Sequence, residues 1–403
     1  MNKTEITCFP SDYGESILLS IEKGEKNYNI LIDCGFKDTY RKYIKFELLK
    51  KKKIDLLVLT HIDDDHIEGA VELFSDQDTL KSIQINEIWF NDLFKIALNR
   101  KFQFSKSGEN INTSYTNMAV NETETGTIFD EEVGFKKAKT ISNLLINSEK
   151  IFKWNTFDDG LIQTKNDSYR ELNLNEDIKI VILAPHMHRL SELFLEWCNY
   201  RGLDSNKILI DEKMVEDFNK YFSKIGGRKE VEIFDEECSY EKFNLLKLAE
   251  LSFNKNSTAN NASIAFIVEI SDKRMLFLGD SNSRDIQTSL NKYILDKKIN
   301  KINFDLVKVS HHGSKNNITN DYFKIASSKK YLVSTNGRKF DHPDLECLSK
   351  IIVNQKEYKE LYFNYYHQKV YDNLFDNSLK TNYHYEIHMP KEFDVEKVLT
   401  IEL

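Results

Sequence analysis

The segment Thr60-His61-Ile62-Asp63-Asp64-Asp65-His66-Ile67-Glu68-Gly69, directly behind the apolar run Ile54 to Leu59, constrains this chain most. Leu56-Leu57-Val58-Leu59 has the length and composition of a buried strand. The two histidines and three aspartates that follow must therefore sit at a sheet edge, because burying several unpaired carboxylates is prohibitively costly. A tight turn after Thr60 lets His61, Asp63, Asp65 and His66 converge, and Gly69 permits close backbone packing behind them. A solvated acidic loop is the plain alternative, since Asp is common in turns. The alternation of His with Asp goes against it, and a cluster of nitrogen and oxygen donors at a strand end has the makings of a metal site.

Composition bounds the class. At 403 residues and 40% hydrophobic, the chain can bury a large core without disulfides. Its cysteines (Cys8, Cys34, Cys198, Cys238, Cys347) are odd in number and lack metal-type spacing, so they read as reduced thiols. The sequence has no cationic start leading into an apolar segment and no apolar run of membrane-spanning length. The expectation is a cytoplasmic protein with no membrane partner. A net charge of −8 argues against binding nucleic acid over the whole surface. Lysine runs at Lys50 to Lys53 and at Lys297, Lys298 and Lys301 read as solvated faces, with steering of an anionic substrate as the alternative.

Several further segments fit one pattern. Asn260-Asn261-Ala262-Ser263 precedes an apolar strand, and Met275-Leu276-Phe277-Leu278-Gly279-Asp280 reads as a strand ending in an aspartate. Asp305 to Val309 leads into Ser310-His311-His312-Gly313-Ser314-Lys315, and Asn336 is followed by His342-Pro343. At the front, Gly14-Glu15-Ser16 and Ile30-Leu31-Ile32-Asp33-Cys34-Gly35 look like the first two strands. With the His61–His66 segment, these motifs resemble the metallo-β-lactamase superfamily in the correct order along nearly the full length. The usual H-x-H-x-D-H signature has Asp63 in place of its second histidine. That H-x-D-x-D-H variant is similar to the metallo-β-lactamase domain of competence DNA-uptake proteins.

The resemblance implies an α/β fold, an αββα sandwich forming a single domain over residues 1–403. Two stretches interrupt the pattern, at about 93–176 and 188–257, and both read as helical insertions. Within them, Ala138, Ile141, Leu144, Leu145 and Ile151, then Leu190, Leu193, Phe194 and Trp197, recur at helical spacing, and Phe243 to Leu251 continues the second. Such insertions usually lie over a site.

The resemblance also implies two divalent metal ions, Zn²⁺ or Mn²⁺, sharing a hydroxide that the cations make available near pH 7. The first would be held by His61 and Asp63, the second by Asp65 and His66, with Asp280 bridging. A histidine of the Ser310–Gly313 turn would complete the second site. Neighbouring residues at a strand end point apart, so His312 is expected to ligate, while His311 contacts substrate or orients a ligand. Asp65, His311 and His312 are the catalytic candidates. His342 is either a rim or ligand histidine or a residue of the helix start Asp341-His342-Pro343-Asp344. The third ligand of the first site is open between His186, His188 and neither, while His367, His384 and His388 read as structural.

With Asp63, Asp65 and Asp280, two divalent ions leave a core charge of about +1 where the usual set leaves about +2. The oxygen-rich first site then makes Mn²⁺ competitive with zinc. The function expected is a metal-dependent hydrolase, a phosphodiesterase or nuclease acting on a phosphodiester or nucleic-acid substrate. Ser314 and Lys315 are candidate phosphate contacts, with turn residues as the alternative. Alternatives for the whole are hydrolysis of a small carbonyl substrate (lactone, β-lactam or thioester), a phosphocholine-type esterase, and a metal-stabilised binding component of a multi-protein, defence-type system with a protein partner.

Overall fold

The computed structural model describes residues 3–93, 95–97, 99, 130–156, 160–200, 243–253, 255–394 and 397–403. Parts of both expected insertions lie outside them. The strands are β1 (Lys3–Cys8), β2 (Ile17–Lys23), β3 (Lys26–Ile32), β4 (Lys53–Ile54), β5 (Leu56–Val58), β6 (Gln84–Ile85), β7 (Ile88–Trp89), β8 (Arg170–Asn173), β9 (Ile178–Ala184), β10 (Ala265–Ile270), β11 (Lys273–Phe277), β12 (Ile302–Lys308), β13 (Ala326–Val333), β14 (Lys359–Phe363), β15 (Tyr385–His388) and β16 (Leu399–Glu402). One sheet runs in the order β16-β1-β2-β3-β5-β7, a second in the order β15-β14-β13-β12-β11-β10-β9-β8, and β4 pairs with β6.

Period-two alternation explains how the sheets stack. Ile17, Leu19, Ile30, Ile32, Leu56 and Val58 of the first sheet meet Ile180, Ile182, Phe266, Val268 and Phe277 of the second in one buried core. Their neighbours Leu18, Leu31 and Leu57 point the other way, onto Ile67, Ala70 and Leu73 of the Asp64–Ser75 helix and Ala138 and Ile141 of the Asp130–Ile146 helix. On the far side, Val181, Ile267, Leu276 and Val307 pack on Ile286 and Leu290 of the Ser283–Lys297 helix and on Leu348 and Ile351 of the Leu345–Asn354 helix. Strands buried on both faces read as continuous apolar runs, as these do. The layers are therefore helix, sheet, sheet, helix, and the expected α/β sandwich is borne out.

Two details differ from the sequence reading. Lys3–Cys8 precedes the strands expected to be first, and Gly14-Glu15-Ser16 is a turn leading into β2 rather than a strand. Ile151 is not part of the helical face with Ala138 and Ile141, because the helix ends at Ile146 and Ile151 is 96% exposed. Leu190, Leu193, Phe194 and Trp197 are buried on the Met187–Tyr200 helix, as their spacing requires. Within the lysine runs, Lys50 and Lys51 pair with Glu47, Lys53 with Asp55, Lys297 with Glu171 and Lys301 with Glu357. Among the described residues no helix is long and apolar enough to cross a membrane.

Two glycines bring the motif helix to its place. Gly69 lets the Asp64–Ser75 helix lie on the turn after β3, where its N–H donates to the Gly35 carbonyl at 2.8 Å. A Cβ at Gly69 would lie 2.1 Å from the Cys34 carbonyl oxygen, and one at Gly14 would lie 2.1 Å from that of Asp65. Gly69→Ala must therefore push the helix off the sheet. We expect a loss of about 3 kcal/mol in unfolding free energy, measured by urea denaturation. A change within about 0.5 kcal/mol, the range of a neutral surface substitution, would contradict this packing.

Candidate metal centre

The centre lies where β3, β5, β11 and β12 end. Asp33, following β3, is buried and adopts a left-handed backbone (φ 55°). Its carboxylate accepts from the Thr60 backbone N–H at 2.7 Å, from the Thr60 hydroxyl at 2.8 Å and from His66 Nδ1 at 2.7 Å. Since the Thr60 hydroxyl proton goes to Asp33, its oxygen accepts from His61 Nδ1 at 3.0 Å. Both rings are thereby fixed in the tautomer that leaves Nε2 free to coordinate, and Asp33 is the carboxylate behind a histidine that metal sites commonly use.

Asp63 is the N-cap of the Asp64–Ser75 helix, yet its side chain caps nothing. Its Oδ2 turns to His61 Nε2 at 3.5 Å instead, giving up a contribution of about 1 kcal/mol to helix stability. Asp65, in the first helical turn, sends Oδ2 towards His312 Nε2 at 3.5 Å and His66 Nε2 at 3.8 Å.

The second sheet supplies the rest. Gly279, two residues past β11, is left-handed (φ 49°), with Thr60 and Ser263 packed where its Cβ would stand. Asp280 follows it, buried. The Ser310–Gly313 turn places His311 (φ 50°) and His312 (φ 55°) consecutively in the left-handed region, which non-glycine residues adopt only when the surroundings impose it. Alternation at a strand end therefore fails as a guide here. Both rings reach Asp280 Oδ2, His311 Nε2 at 3.8 Å and His312 Nε2 at 3.7 Å. His312 Nδ1 donates to the Ser334 carbonyl at 2.7 Å, and His311 Nδ1 donates to Asn317 Oδ1 at 3.0 Å. The Asn260 amide stands 3.3 Å from His311 Nε2.

A single carboxylate oxygen thus faces four imidazoles: His61 at 3.9 Å and His66 at 3.6 Å complete the set around Asp280 Oδ2. His61, His66 and Asp280 each offer one donor atom within 4.8 Å of one another, as do Asp65, His66 and His312. His61 Nε2, Asp63 Oδ1 and Asp280 Oδ1 are buried with no hydrogen-bond partner, a costly arrangement unless another group satisfies them. The protonation balance agrees. Burial opposes charge on Asp280 and Asp65, but the facing imidazoles (His312 and His66 on both) outweigh it and hold both acids below the usual carboxylate range. Burial likewise opposes a proton on His66, yet Asp280, Asp33 and Asp65 raise its affinity well above normal. The cluster calls for positive charge at its centre, and its donor set suits a divalent cation.

Behind Asp280 lies a buried ion pair, Glu15 with Lys308. Lys308 Nζ also donates to the Gly279 carbonyl at 3.2 Å and stands 3.8 Å from Asp280 Oδ1. Burial lowers its proton affinity, but Glu15 and Asp280 more than restore it, so it stays charged.

Other expected residues fall around this core. His342 belongs to neither donor group; its ring is 5.5 Å from that of His311, and its Nδ1 is 3.5 Å from Asp344, the N-cap of the next helix. His186 is buried, with Nδ1 on the Thr164 hydroxyl at 2.7 Å and Nε2 unpartnered, and it too joins neither group. His188 is half-exposed near Asp167. Ser314 is buried, its hydroxyl accepting from the Asn316 N–H, and Lys315 faces Glu346 and the Phe253 ring. His367 bonds the Thr335 carbonyl, and His388 stacks on Tyr362. Sequence reasoning missed Asp33, Glu15, Lys308, Asn317 and Thr60. A signal existed for Lys308, a lysine between Val307 and Val309 in a strand otherwise apolar at its end, since such a charge is buried only when paired. The Asp130–Ile146 helix, from the first expected insertion, closes on the motif. Lys137 pairs with Asp64 at 2.9 Å and Glu68 at 3.0 Å, and a Cβ at Gly134 would lie 2.5 Å from the Ile62 carbonyl oxygen.

An αββα sandwich with a buried histidine–aspartate centre at its strand ends is the class defined by these features. Residues 16–82, from β2 through the Gln77–Ser82 helix, match the family model of the metallo-beta-lactamase superfamily. That stretch contains Asp33 and the whole His61–His66 segment, and the match supports the superfamily placement there. No curated protein matches the chain. Solved structures similar to it include the metallo-beta-lactamase fold protein YhfI from Bacillus subtilis, at 13% identity and a TM-score of 0.42 over 100% of both chains. A protein of unknown function from Enterococcus faecalis V583 is similar at 10% identity and a TM-score of 0.27, over 98% of this chain and 79% of the other.

Removing one member of a buried ion pair strands the other. Glu15→Gln is expected to cost roughly 3–5 kcal/mol in unfolding free energy, and Glu15→Gln with Lys308→Met should recover part of it. A single variant as stable as the parent in guanidinium titrations would mean that Glu15 does not compensate Lys308. Asp33→Asn, which removes the charged acceptor behind His66, is expected to weaken divalent-metal affinity about 10–100-fold by calorimetry. An unchanged affinity would remove Asp33 from the centre.

Proposed function

We propose that this chain is a metal-dependent hydrolase acting on a phosphodiester, with His61, Asp63, Asp65, His66, Asp280 and His312 as the metal ligands. The observation carrying this reading is the convergence of four imidazole Nε2 atoms on Asp280 Oδ2 at 3.6 to 3.9 Å. Around that carboxylate, His61 and Asp63 would hold one ion and Asp65, His66 and His312 the other. When bound, divalent cations would supply Lewis acidity and a water made acidic enough to attack near pH 7.

The chain's own residues do the positioning. Asp33, Thr60 and the Ser334 carbonyl hold His66, His61 and His312 with Nε2 towards Asp280. Lys308 stands behind Asp280, 3.8 Å from its Oδ1. His311 is held by Asn317 and Asn260, sits on the side of His342, and is assigned to the substrate or its leaving group. His342 belongs to the rim. His186 and His188 are left out of the ligand set, so the first site keeps fewer protein ligands and more oxygen character, which favours Mn²⁺ relative to zinc. Phosphodiester chemistry is favoured by the paired donor groups and by the resemblance to the competence DNA-uptake branch through Asp63. The described cysteines, Cys8, Cys34, Cys198 and Cys347, are buried, in keeping with a cytoplasmic nuclease or nucleotide phosphodiesterase. The single-domain reading, with both insertions shaping the entrance, is part of the same proposal.

Purified protein stripped of metal and resupplied with Mn²⁺ or Zn²⁺ should cleave linear DNA, RNA or a simple aryl phosphodiester. Mn²⁺ should restore the most activity. The Asp65→Ala His66→Ala control should fall by more than about a hundredfold, as expected for groups acting as a unit. Turnover of a lactone alone would replace the phosphodiester reading with the carbonyl alternative. Turnover equal in the control would sink the assignment of the centre, and full restoration by one equivalent of Zn²⁺ would refute the metal preference.

A further inference from the structure

We infer that the rim loop Asn336–His342, with Tyr13, forms a stacking subsite for a base of single-stranded nucleic acid whose phosphodiester lies at Asp280, an inference that rests on the phosphodiester reading above. Phe340 is half-exposed and meets the Tyr13 ring edge-on at 6.0 Å, and Tyr13 in turn packs on Phe36 at 4.8 Å. The Lys339 ammonium lies 5.0 Å from the Tyr13 ring centre and 4.8 Å from that of Phe340. Arg338 beside it is exposed. A cation fixed against two aromatic faces is the pairing that single-strand binders use, the ring for the base and the charge for the backbone.

The platform is tied to the centre by rings. Phe340 lies 6.1 Å from His342, His342 lies 5.5 Å from His311, and His311 Nε2 is 3.8 Å from Asp280 Oδ2. A base on Phe340 is thus two ring contacts from the histidine assigned to the substrate. The loop is also held in shape. The Asn336 N–H donates to the Asp12 carbonyl at 2.8 Å and its amide to Asp12 Oδ1 at 3.1 Å, while the Asp12 N–H donates to the Tyr365 hydroxyl at 2.8 Å. Gly337 takes φ 73°, and a Cβ there would lie 2.7 Å from the His342 carbonyl oxygen. The Asp341 N–H closes the turn on the Gly337 carbonyl at 2.9 Å, and its carboxylate is paired with Lys369 at 2.8 Å. A pre-shaped loop loses little order on binding, and Arg338 and Lys339 are exposed on it.

The test reads binding in chelator-treated full-length protein, so that no cleavage intervenes. A fluorescein-labelled oligothymidylate and an abasic oligonucleotide of equal length and charge are titrated by anisotropy. The native chain should prefer the base-bearing strand about tenfold, the scale of one base–aromatic stack. Phe340→Ala should remove that preference without weakening abasic binding, and Phe340→Trp should keep it. Equal binding of both strands by the native chain, or a preference untouched in Phe340→Ala, overturns the subsite while leaving phosphodiester hydrolysis standing if DNA is still cleaved. Binding of neither strand, together with no turnover of any phosphodiester, overturns the underlying reading and the subsite with it.

Discussion

The Asp33 carboxylate is the constraint on which the rest of the centre depends. Buried at the end of β3, it accepts from the Thr60 backbone, the Thr60 hydroxyl and His66 Nδ1. These bonds join the two neighbouring parallel strands β3 and β5 at the point where both stop. They also decide the tautomer of His66 directly and that of His61 through Thr60. The same turn receives the motif helix through Gly69, so strand ends, helix start and ligand orientation are set together. The adjoining sheet is fastened to this unit by the Ile264 N–H donating to the Thr60 carbonyl at 2.8 Å. Asp280, two strands later, is thereby aimed at rings that are already oriented.

The charge arrangement has two levels. Around Asp280 Oδ2 the acids face the imidazoles, and Asp280, Asp33 and Asp65 raise the proton affinity of His66 against the opposing effect of burial. Beneath, Lys308 and Glu15 form a neutral pair whose ammonium lies on the Asp280 side. A buried pair of this kind adds little net stability over apolar residues. Its place here is local, since it sets an ammonium 3.8 Å behind Asp280 Oδ1. On the proposed reading, that carboxylate bridges the ions.

Much of this was legible in the sequence where function and local pattern coincide. The strand before Thr60, the clustered His61 to His66, Gly279-Asp280 and the His311-His312 pair announce themselves because donors crowd where apolar runs end. The αββα order was implied by the family resemblance that those motifs carry. What stayed hidden depends on contacts between distant segments. Asp33 looks like a strand-end acid until Thr60 and His66 fold onto it, and Glu15 is unremarkable until Lys308, far along the chain, arrives beside it. His311 and His312 were expected to diverge, as they would on an extended strand, but two successive left-handed residues turn both rings inward. Phe340 and Tyr13, far apart in the chain, meet beside the point where Asn336 is tied to Asp12.

The central claim is that Asp280 bridges a metal centre. Anomalous diffraction from crystals of the protein grown with Mn²⁺ tests it most directly. The account predicts two peaks flanking Asp280 Oδ2, one beside His61 and Asp63 and the other beside Asp65, His66 and His312. A full-occupancy peak elsewhere, or no peak between these side chains at saturating Mn²⁺, would contradict it.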